Sequence, residues 1–490
     1  MKHNFFLFIF TSWILCSCYK DKGNYDYQQI NETSINNIDS AYTVFIGDSL
    51  HIHPQLSFSK DPAGTDSAYE YEWWGISSAS RFQQVSLGVS RNLDIKFGLP
   101  SGIYDVYYRV TSKSTGIQAQ QKFRITAQTI ISEGYLLLCD NNGKSRLDML
   151  SYSQNDFRYL PNVLNTVESK LPEQGKPINI YCYPYQPTVY GIYLMTETGT
   201  NRIDPESFDY NATYNISYEF LSKLPANFAP QNISSGGNWA WLYENGNIYN
   251  YFRAANIYYG LPLNIYQGEV NTFRTSPFIA ATSINAILYD EDHKRFVKSN
   301  IQQSYCTQLP TGTMFNFTTG KDLLYMNYNR YTGGVICAVL EDKPSGKRYI
   351  GRFTMAGVQN YYAEITATDI MQAENFAFSP DLGFMYYNVG SKVYQYNLST
   401  KISHLVLDKG QPITVLKFHT FFYEASASKT NTYKVWAPKL LICSYDPGLP
   451  SAVCGSMDML TVLPVTGDLT PFLSFEGLGK VVSLSYRERI

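Results

Sequence analysis

The stretch Gly237–Arg253, GNWAWLYENGNIYNYFR, decides how the larger part of this chain is read. An apolar-aromatic run around Trp239 and Trp241 meets Asn245-Gly246 and returns through a second run carrying Tyr249 and Tyr251. Asn-Gly tolerates the positive φ angles that a two-residue hairpin needs, so the stretch predicts strand, tight turn, strand. The same unit recurs in both directions. Upstream lie Glu133–Tyr152 (EGYLLLCDNNGKSRLDMLSY, turning at Asn142-Gly143) and Thr188–Tyr210. Downstream lie Ile284–Asn300, Asp322–Met355, Asn375–Ser399 and Lys439–Leu460. Seven candidate units in about 360 residues give a period of about 50, the range read as propeller blades. The physical ground is edge and face management: a small antiparallel sheet cannot bury both faces alone, so neighbouring sheets stack around an axis. Residues 129–490 are therefore expected to form a β-propeller of seven blades. The last strand, within GKVVSLSYRERI, is expected to close the ring against Gly134–Cys139.

Residues 41–128 have a different texture. YTVFIGDSLHIHPQLSFS (Tyr42–Ser59), YEYEWWGIS (Tyr69–Ser77) and the long hairpin Ser101–Gln128 read as short alternating strands with turn punctuation. About seven strands in about 90 residues, with a tryptophan in mid-domain, predict an immunoglobulin-like sandwich. The fold class is thus all-β, a sandwich followed by a propeller. Tyr71, Trp73, Gly102, Tyr104, Val106 and Val110 fall where polycystic-kidney-disease (PKD) domains carry Y-x-W and G-x-Y-x-V, and this part resembles a divergent PKD-like domain without the acidic turn of the PKD repeat. In Asn375–Ser399, Phe378-Ser379-Pro380-Asp381 is similar to the F-S-P-D-G strand-turn-strand of many propellers, and Asp381 is expected to cap its turn. TATDIMQAEN is expected to hold a short helical segment.

The amino terminus speaks to location. Lys2 and His3 precede about eleven mostly apolar residues, Phe5–Leu15, too few to span a bilayer and suited to the apolar part of a signal peptide. Leu15-Cys16-Ser17-Cys18 resembles the lipobox of bacterial lipoproteins. The resemblance implies cleavage after residue 17, with Cys18 as the lipid anchor carrying acyl groups such as palmitate. Cys16 then leaves with the signal, so the two cysteines are not a redox or metal pair. Residues 18–40 read as the anchor and a flexible tether, whose charged start, Tyr19-Lys20-Asp21-Lys22, is similar to segments that direct lipoproteins to the outer face of an outer membrane.

Aromatic residues make up 16% of the chain, with 42 Tyr and 28 Phe, against 16% charged, which suits β-structure with large cores. A net charge of -2 and the absence of basic runs argue against nucleic acid as a partner. The later cysteines, Cys139, Cys182, Cys306, Cys337, Cys443 and Cys454, are widely spaced, and buried thiols are the expected reading, with a Cys443–Cys454 bridge as the alternative. His51 and His53 share one face of a strand, but no metal is expected there, nor any cofactor. Asp290, Glu291 and Asp292 read as a solvated hairpin tip. No nucleophile elbow, phosphate loop or dinucleotide turn occurs, and no catalytic residue is assigned. Trp73, Trp74, Tyr181, Tyr183, Tyr185 and Tyr190 are the candidate ligand-binding residues, because aromatic faces in strands and Pro-broken loops stack on sugars or apolar side chains.

The combination of lipobox, charged start and PKD-like domain resembles the PKD-like family of outer-membrane lipoproteins. That resemblance implies company with SusC/SusD-like importers and a non-catalytic, surface-exposed role in capturing glycan or peptide. Two alternatives stay open: a propeller hydrolase or lyase acting on a polysaccharide or peptide, and a structural scaffold of an importer assembly. Close paired carboxyls in a deep axial pocket would favour the enzyme, and an aromatic shelf would favour binding. Replacing Cys18 by Ser is expected to abolish palmitate labelling and shift the chain from the membrane to the soluble fraction; unchanged membrane retention would remove the lipid anchor from this reading.

Overall fold

The structure is a computed structural model that describes residues 30–78, 83–153, 155–186, 189–225, 227–424 and 430–489. The signal segment, Cys18 and the start of the tether lie outside the described residues. Two units meet in sequence at Gln128/Thr129.

The first unit is a β-sandwich. Ala41–Phe45, Gln118–Gln128, Gly102–Ser112, Tyr69–Ser77 and Gln84–Gly88 form a five-stranded sheet in that order, the first pair parallel. Two strand pairs, Thr33–Asn36 with Gln55–Phe58 and Ser49–Ile52 with Leu93–Lys96, share its core. Strict alternation along Tyr69–Ser77 sends Tyr71 and Trp73 inward, where Trp73 stacks on Tyr108 at 3.9 Å and donates its indole N–H to the Ser90 carbonyl at 2.7 Å. Tyr104 is buried, and its hydroxyl donates to the carbonyl of Pro100, four residues upstream. The tether is shorter than expected, because Thr33–Asn36, placed in it by sequence, is a paired strand of the sandwich.

Among the described residues the second unit carries seven antiparallel sheets in chain order. Blade 1 holds Gly134–Asn141, Lys144–Ser153 and Asp156–Leu160, and its fourth strand, Lys480–Arg487, comes from the chain end. Blade 2 spans Pro177–Gln186 to Gly199–Ile203, blade 3 Asn232–Gly236 to Asn247–Phe252, and blade 4 Ala280–Ala281 to Cys306–Gln308. Blade 5 runs from Asp322–Asn329 to Gln359–Glu364, blade 6 from Asn375–Phe378 to Ser403–Asp408, and blade 7 from Ile413–Phe418 to Leu469–Leu478. Among the described residues helix is confined to short pieces such as Ile370–Gln372, inside the segment expected to hold one, and Thr430–Trp436.

What makes these sheets a ring is the two-residue period of their strands. In Gly134–Asn141, Leu136 and Leu138 pack against Ile180, Ile192 and Leu194 of blade 2, while Tyr135, Leu137 and Cys139 pack against Leu441, Cys443 and Met457 of blade 7. Both faces are buried, which explains why LLLC reads as a continuous apolar run. Five further cores join blades 2 and 3, 3 and 4, 4 and 5, 5 and 6, and 6 and 7. The seventh core, between blades 7 and 1, completes the circle. Closure is covalently economical: Lys480–Arg487 pairs with Gly134–Asp140 from Asp140↔Lys480 to Gly134↔Arg487, as expected from sequence.

Two local expectations change. Asp290 is not part of a solvated tip: it is fully buried and accepts from the backbone amides of Asp292 and His293 and from Arg295 Nε at 2.7 Å, so it organises the turn from inside. The Ser379 hydroxyl, not Asp381, accepts the Leu382 amide in the turn after Phe378. Cys443 and Cys454 are free thiols, as are the other four late cysteines. A chain ending at Leu478 leaves blade 1 without its innermost strand and exposes the core between blades 7 and 1. Such a truncation is expected to lose cooperative thermal unfolding followed by circular dichroism in the β-sheet region, and a sharp transition near the full-length midpoint would contradict this closure.

Candidate functional site

Around the axis the first strands of successive blades are tied by polar side chains. Ser483 Oγ donates to Asn179 Oδ1 at 2.6 Å, Asn179 Nδ2 to Asn232 Oδ1 at 3.1 Å, and Asn232 Nδ2 to the Pro277 carbonyl at 2.8 Å. Tyr181 shares a hydrogen bond with Ser235 Oγ and accepts the Ser235 amide at 3.0 Å, and Tyr183 donates to the Gly237 carbonyl at 2.7 Å. This belt spans blades 1 to 4 and spends its polar atoms on one another.

At blades 5 to 7 the belt gives way to a recess. It forms where Asp322–Asn329, Asn375–Phe378 and Ile413–Phe418 end and turn outward. Tyr325, Tyr328, Phe378, Pro380, Phe418 and Ala437 wall a small recess that opens to solvent. Asn327, Asn329, Arg330, His419, Thr420 and Glu424 supply its polar groups. Asn329 Nδ2 donates to the Phe378 carbonyl at 3.1 Å, joining blade 5 to blade 6. Arg330 then forks Asp381, Nε to Oδ1 at 3.1 Å and Nη2 to Oδ2 at 2.9 Å, while its Nη1 pairs with Glu424 on the connection between the first two strands of blade 7. One guanidinium so gathers three blades at the rim, which is the role Asp381 plays in place of capping its turn.

Two buried atoms on residues that line this recess, His419 Nε2 and Asn327 Oδ1, have no hydrogen-bond partner among the described residues. The imidazole lies edge-on to Phe421 with ring centroids 4.7 Å apart. Burial holds it far below the ordinary histidine range, and the ammonium of Lys417, two residues upstream, pushes the same way, so it is neutral. Lys417 is itself engaged, donating to the Leu484 carbonyl at 3.1 Å. Burial raises the Tyr325 hydroxyl, which stays protonated. The unpartnered groups of the recess are therefore uncharged, and its charged residues, Arg330 and Glu424, pair with each other.

The carboxylates at this end are occupied. Asp381 and Glu424 neutralise Arg330, Glu133 accepts from the hydroxyls of Tyr433 and Tyr486 at 2.8 and 3.0 Å, and Glu488 accepts the amides of Phe422 and Tyr423, each at 2.7 Å. Burial pushes the Glu488 carboxyl up to about 7, against the pull of those two amides.

The candidates named from sequence do not converge. Trp73 is 1% exposed inside the sandwich and has no face to offer a ligand. Trp74 points the other way, stacked on Tyr107 at 5.4 Å with the Arg109 guanidinium 4.8 Å from its ring. Tyr181 and Tyr183 belong to the axial belt, and Tyr190 is buried with its hydroxyl accepting the Glu488 amide at 2.9 Å. Tyr185 lies on the strand Pro177–Gln186, and its side chain is outside what the structure describes. Asn327, Arg330 and His419 went unread because they come from blades far apart in sequence. The usable signal was a polar residue at the end of an apolar strand, in MNYNR and LKFHT.

Residues 18–177 match the model of the PKD-like family, a span that covers the sandwich and blade 1 up to the start of blade 2. No curated protein sequence matches the chain. Among solved structures, a quinonprotein alcohol dehydrogenase-like protein from Bacteroides thetaiotaomicron is similar over 92% of this chain and 96% of its own, with 10% identity and a TM-score of 0.42. An extracellular domain ascribed to a one-component system of B. thetaiotaomicron is similar over 90% of this chain and 66% of its own, with 11% identity and a TM-score of 0.37. Kluyveromyces lactis Hsv2p is similar over 70% of this chain and 95% of its own, at 9% identity and a TM-score of 0.41. These overlaps are loose, and the propeller assignment rests on sheet order and the interblade cores. Among the described residues no helix is long and apolar enough to cross a membrane.

The raised Glu488 pKa sets a pH dependence. Between its usual 4.5 and about 7 the folded chain keeps a proton that the unfolded chain has released, so this group's contribution to stability falls as pH rises through that window. Glu488→Gln is expected to flatten that slope, by up to about 1.4 kcal/mol per pH unit, in urea titrations between pH 5 and 7. An identical slope in the variant would show that Glu488 titrates at its ordinary value.

Proposed function

We propose that this chain is a surface-exposed lipoprotein of an outer membrane that binds its ligand in the recess of blades 5 to 7 without transforming it. In this reading Cys18 is the lipid anchor, and the chain serves as an accessory subunit for nutrient capture beside a SusC/SusD-like importer. The observation that carries the binding role is that two residues lining the aromatic-walled recess, His419 and Asn327, each hold a buried polar atom without a hydrogen-bond partner, Nε2 and Oδ1. Leaving a buried polar atom unpaired costs about 1–3 kcal/mol, a cost that a ligand hydroxyl or amide would remove. The recess is uncharged at its unpartnered groups, which favours a neutral glycan, with hydroxyls for the polar atoms and C–H faces for Tyr325, Tyr328 and Phe378. The engagement of Asp381, Glu424, Glu133 and Glu488 by other protein groups weighs for binding over hydrolysis.

A glycan and peptide array probed with the chain from residue 19 onward tests this. Glycan binding that weakens by about tenfold or more in His419→Ala and Asn327→Ala, with unchanged thermal midpoints, is the expected outcome. Product release from any hit would favour the hydrolase, and hits insensitive to both substitutions would move the site elsewhere. Recovery of no importer subunits with the tagged lipoprotein from outer membranes would remove the accessory role and leave the binding role standing.

A further inference from the structure

The sandwich carries a cluster that the axial reading does not use. Ser49–Ile52 and Leu93–Lys96 pair antiparallel with His51 directly opposite Asp94. Leu50 and Ile52 point into the core, so His51 and, two residues on, His53 project from the other face. The strand end is fixed, since Asn37 Nδ2 donates to the His53 carbonyl at 2.9 Å. Both rings converge on one atom: His51 Nδ1 lies 2.6 Å and His53 Nε2 2.7 Å from Asp94 Oδ1. The three donor atoms lie within 4.8 Å of one another, and all three residues are exposed.

As ion pairs these contacts achieve little. A single exposed pair is worth about 0–1 kcal/mol, and two imidazoles on the same oxygen compete for it. As a ligand set the arrangement is coherent. Four-coordinate zinc, with bonds of about 2.0–2.1 Å, holds donor atoms about 3.3 Å apart, so the two imidazole nitrogens, within 4.8 Å of each other, close by up to about 1.5 Å through rotation of exposed rings to form a chelate. Two strands already held by pairing and core packing supply His51 and Asp94, and His53 follows directly with its carbonyl fixed by Asn37, which lowers the ordering cost of binding.

We infer that His51 Nδ1, His53 Nε2 and Asp94 form a binding site for a divalent transition metal of the zinc class. Two imidazoles with one carboxylate select zinc, copper, nickel or cobalt over calcium and magnesium, which take oxygen ligands. Three protein ligands leave at least one coordination position, and the exposure of the cluster turns that position to solvent, where water or a further donor completes it.

Calorimetric titration of the full chain with zinc chloride, and optical titration with cobalt chloride, test the site. One zinc equivalent is expected to weaken by at least about tenfold in Asp94→Asn and to vanish in the His51→Ala/His53→Ala double variant. Cobalt is expected to give d–d bands of a nitrogen–oxygen site without thiolate-to-metal charge transfer, and calcium and magnesium are expected to give no heat. All three substitutions are on exposed side chains, and equal metal-free melting curves confirm that the variants fold. Zinc affinity unchanged in the double variant, or a cobalt spectrum dominated by thiolate charge transfer, overturns the proposal and places any metal on cysteine instead.

Discussion

The pairing of Lys480–Arg487 with Gly134–Asp140 holds the propeller together, because it alone turns a row of seven sheets into a ring. Without it, Tyr135, Leu137 and Cys139 on one side and Leu441, Cys443 and Met457 on the other would each present an unpaired apolar face to water. The entropy of bringing distant chain ends together grows slowly, by about 0.6 kcal/mol for each doubling of the loop. Burial of those two faces, at roughly 25 cal/mol per Å² of apolar surface, outweighs it. A ring has no terminal blade, so every interblade core is backed by another.

Closure also shapes the recess. The residues that follow the closing pairs reach back to the start of the unit, Arg489 Nε donating to the Ser132 carbonyl and its Nη2 to Glu206, each at 2.8 Å. Between them Glu488 seizes the amides of Phe422 and Tyr423, fixing the connection between the first two strands of blade 7. That connection brings His419, Thr420 and Glu424 to the recess, and Arg330 clasps it from blade 5. The chain end therefore fixes the propeller and one wall of its candidate site together.

The strand pattern was legible because β-structure writes a short-range code. Asn-Gly turns at Asn142-Gly143 and Asn245-Gly246, aromatic alternation, and apolar runs such as LLLC mark where strands begin, turn and lie buried on both faces. The aromatic candidates failed for the same reason the fold was readable. In a chain with 42 tyrosines, a Tyr on a strand is first a packing residue, and Tyr183 and Tyr190 are buried for that reason. Asp290 was misread because the string DEDHKR does not show that one carboxylate folds inward to collect the turn's donors.

By itself the sequence determined an all-β chain, a sandwich before a propeller, repeating units of about fifty residues and the strand that closes them. These follow from periodicities of two residues and of about fifty, both written along the chain. Tertiary structure alone decided which side chains come together: Asn327, Arg330, Asp381 and His419 around the recess of blades 5 to 7, and His51, His53 and Asp94 on the sandwich. Sites of this kind form across blades and across strands, between residues separated by tens of positions. Their spacing is set by how sheets stack and register, which no local pattern records.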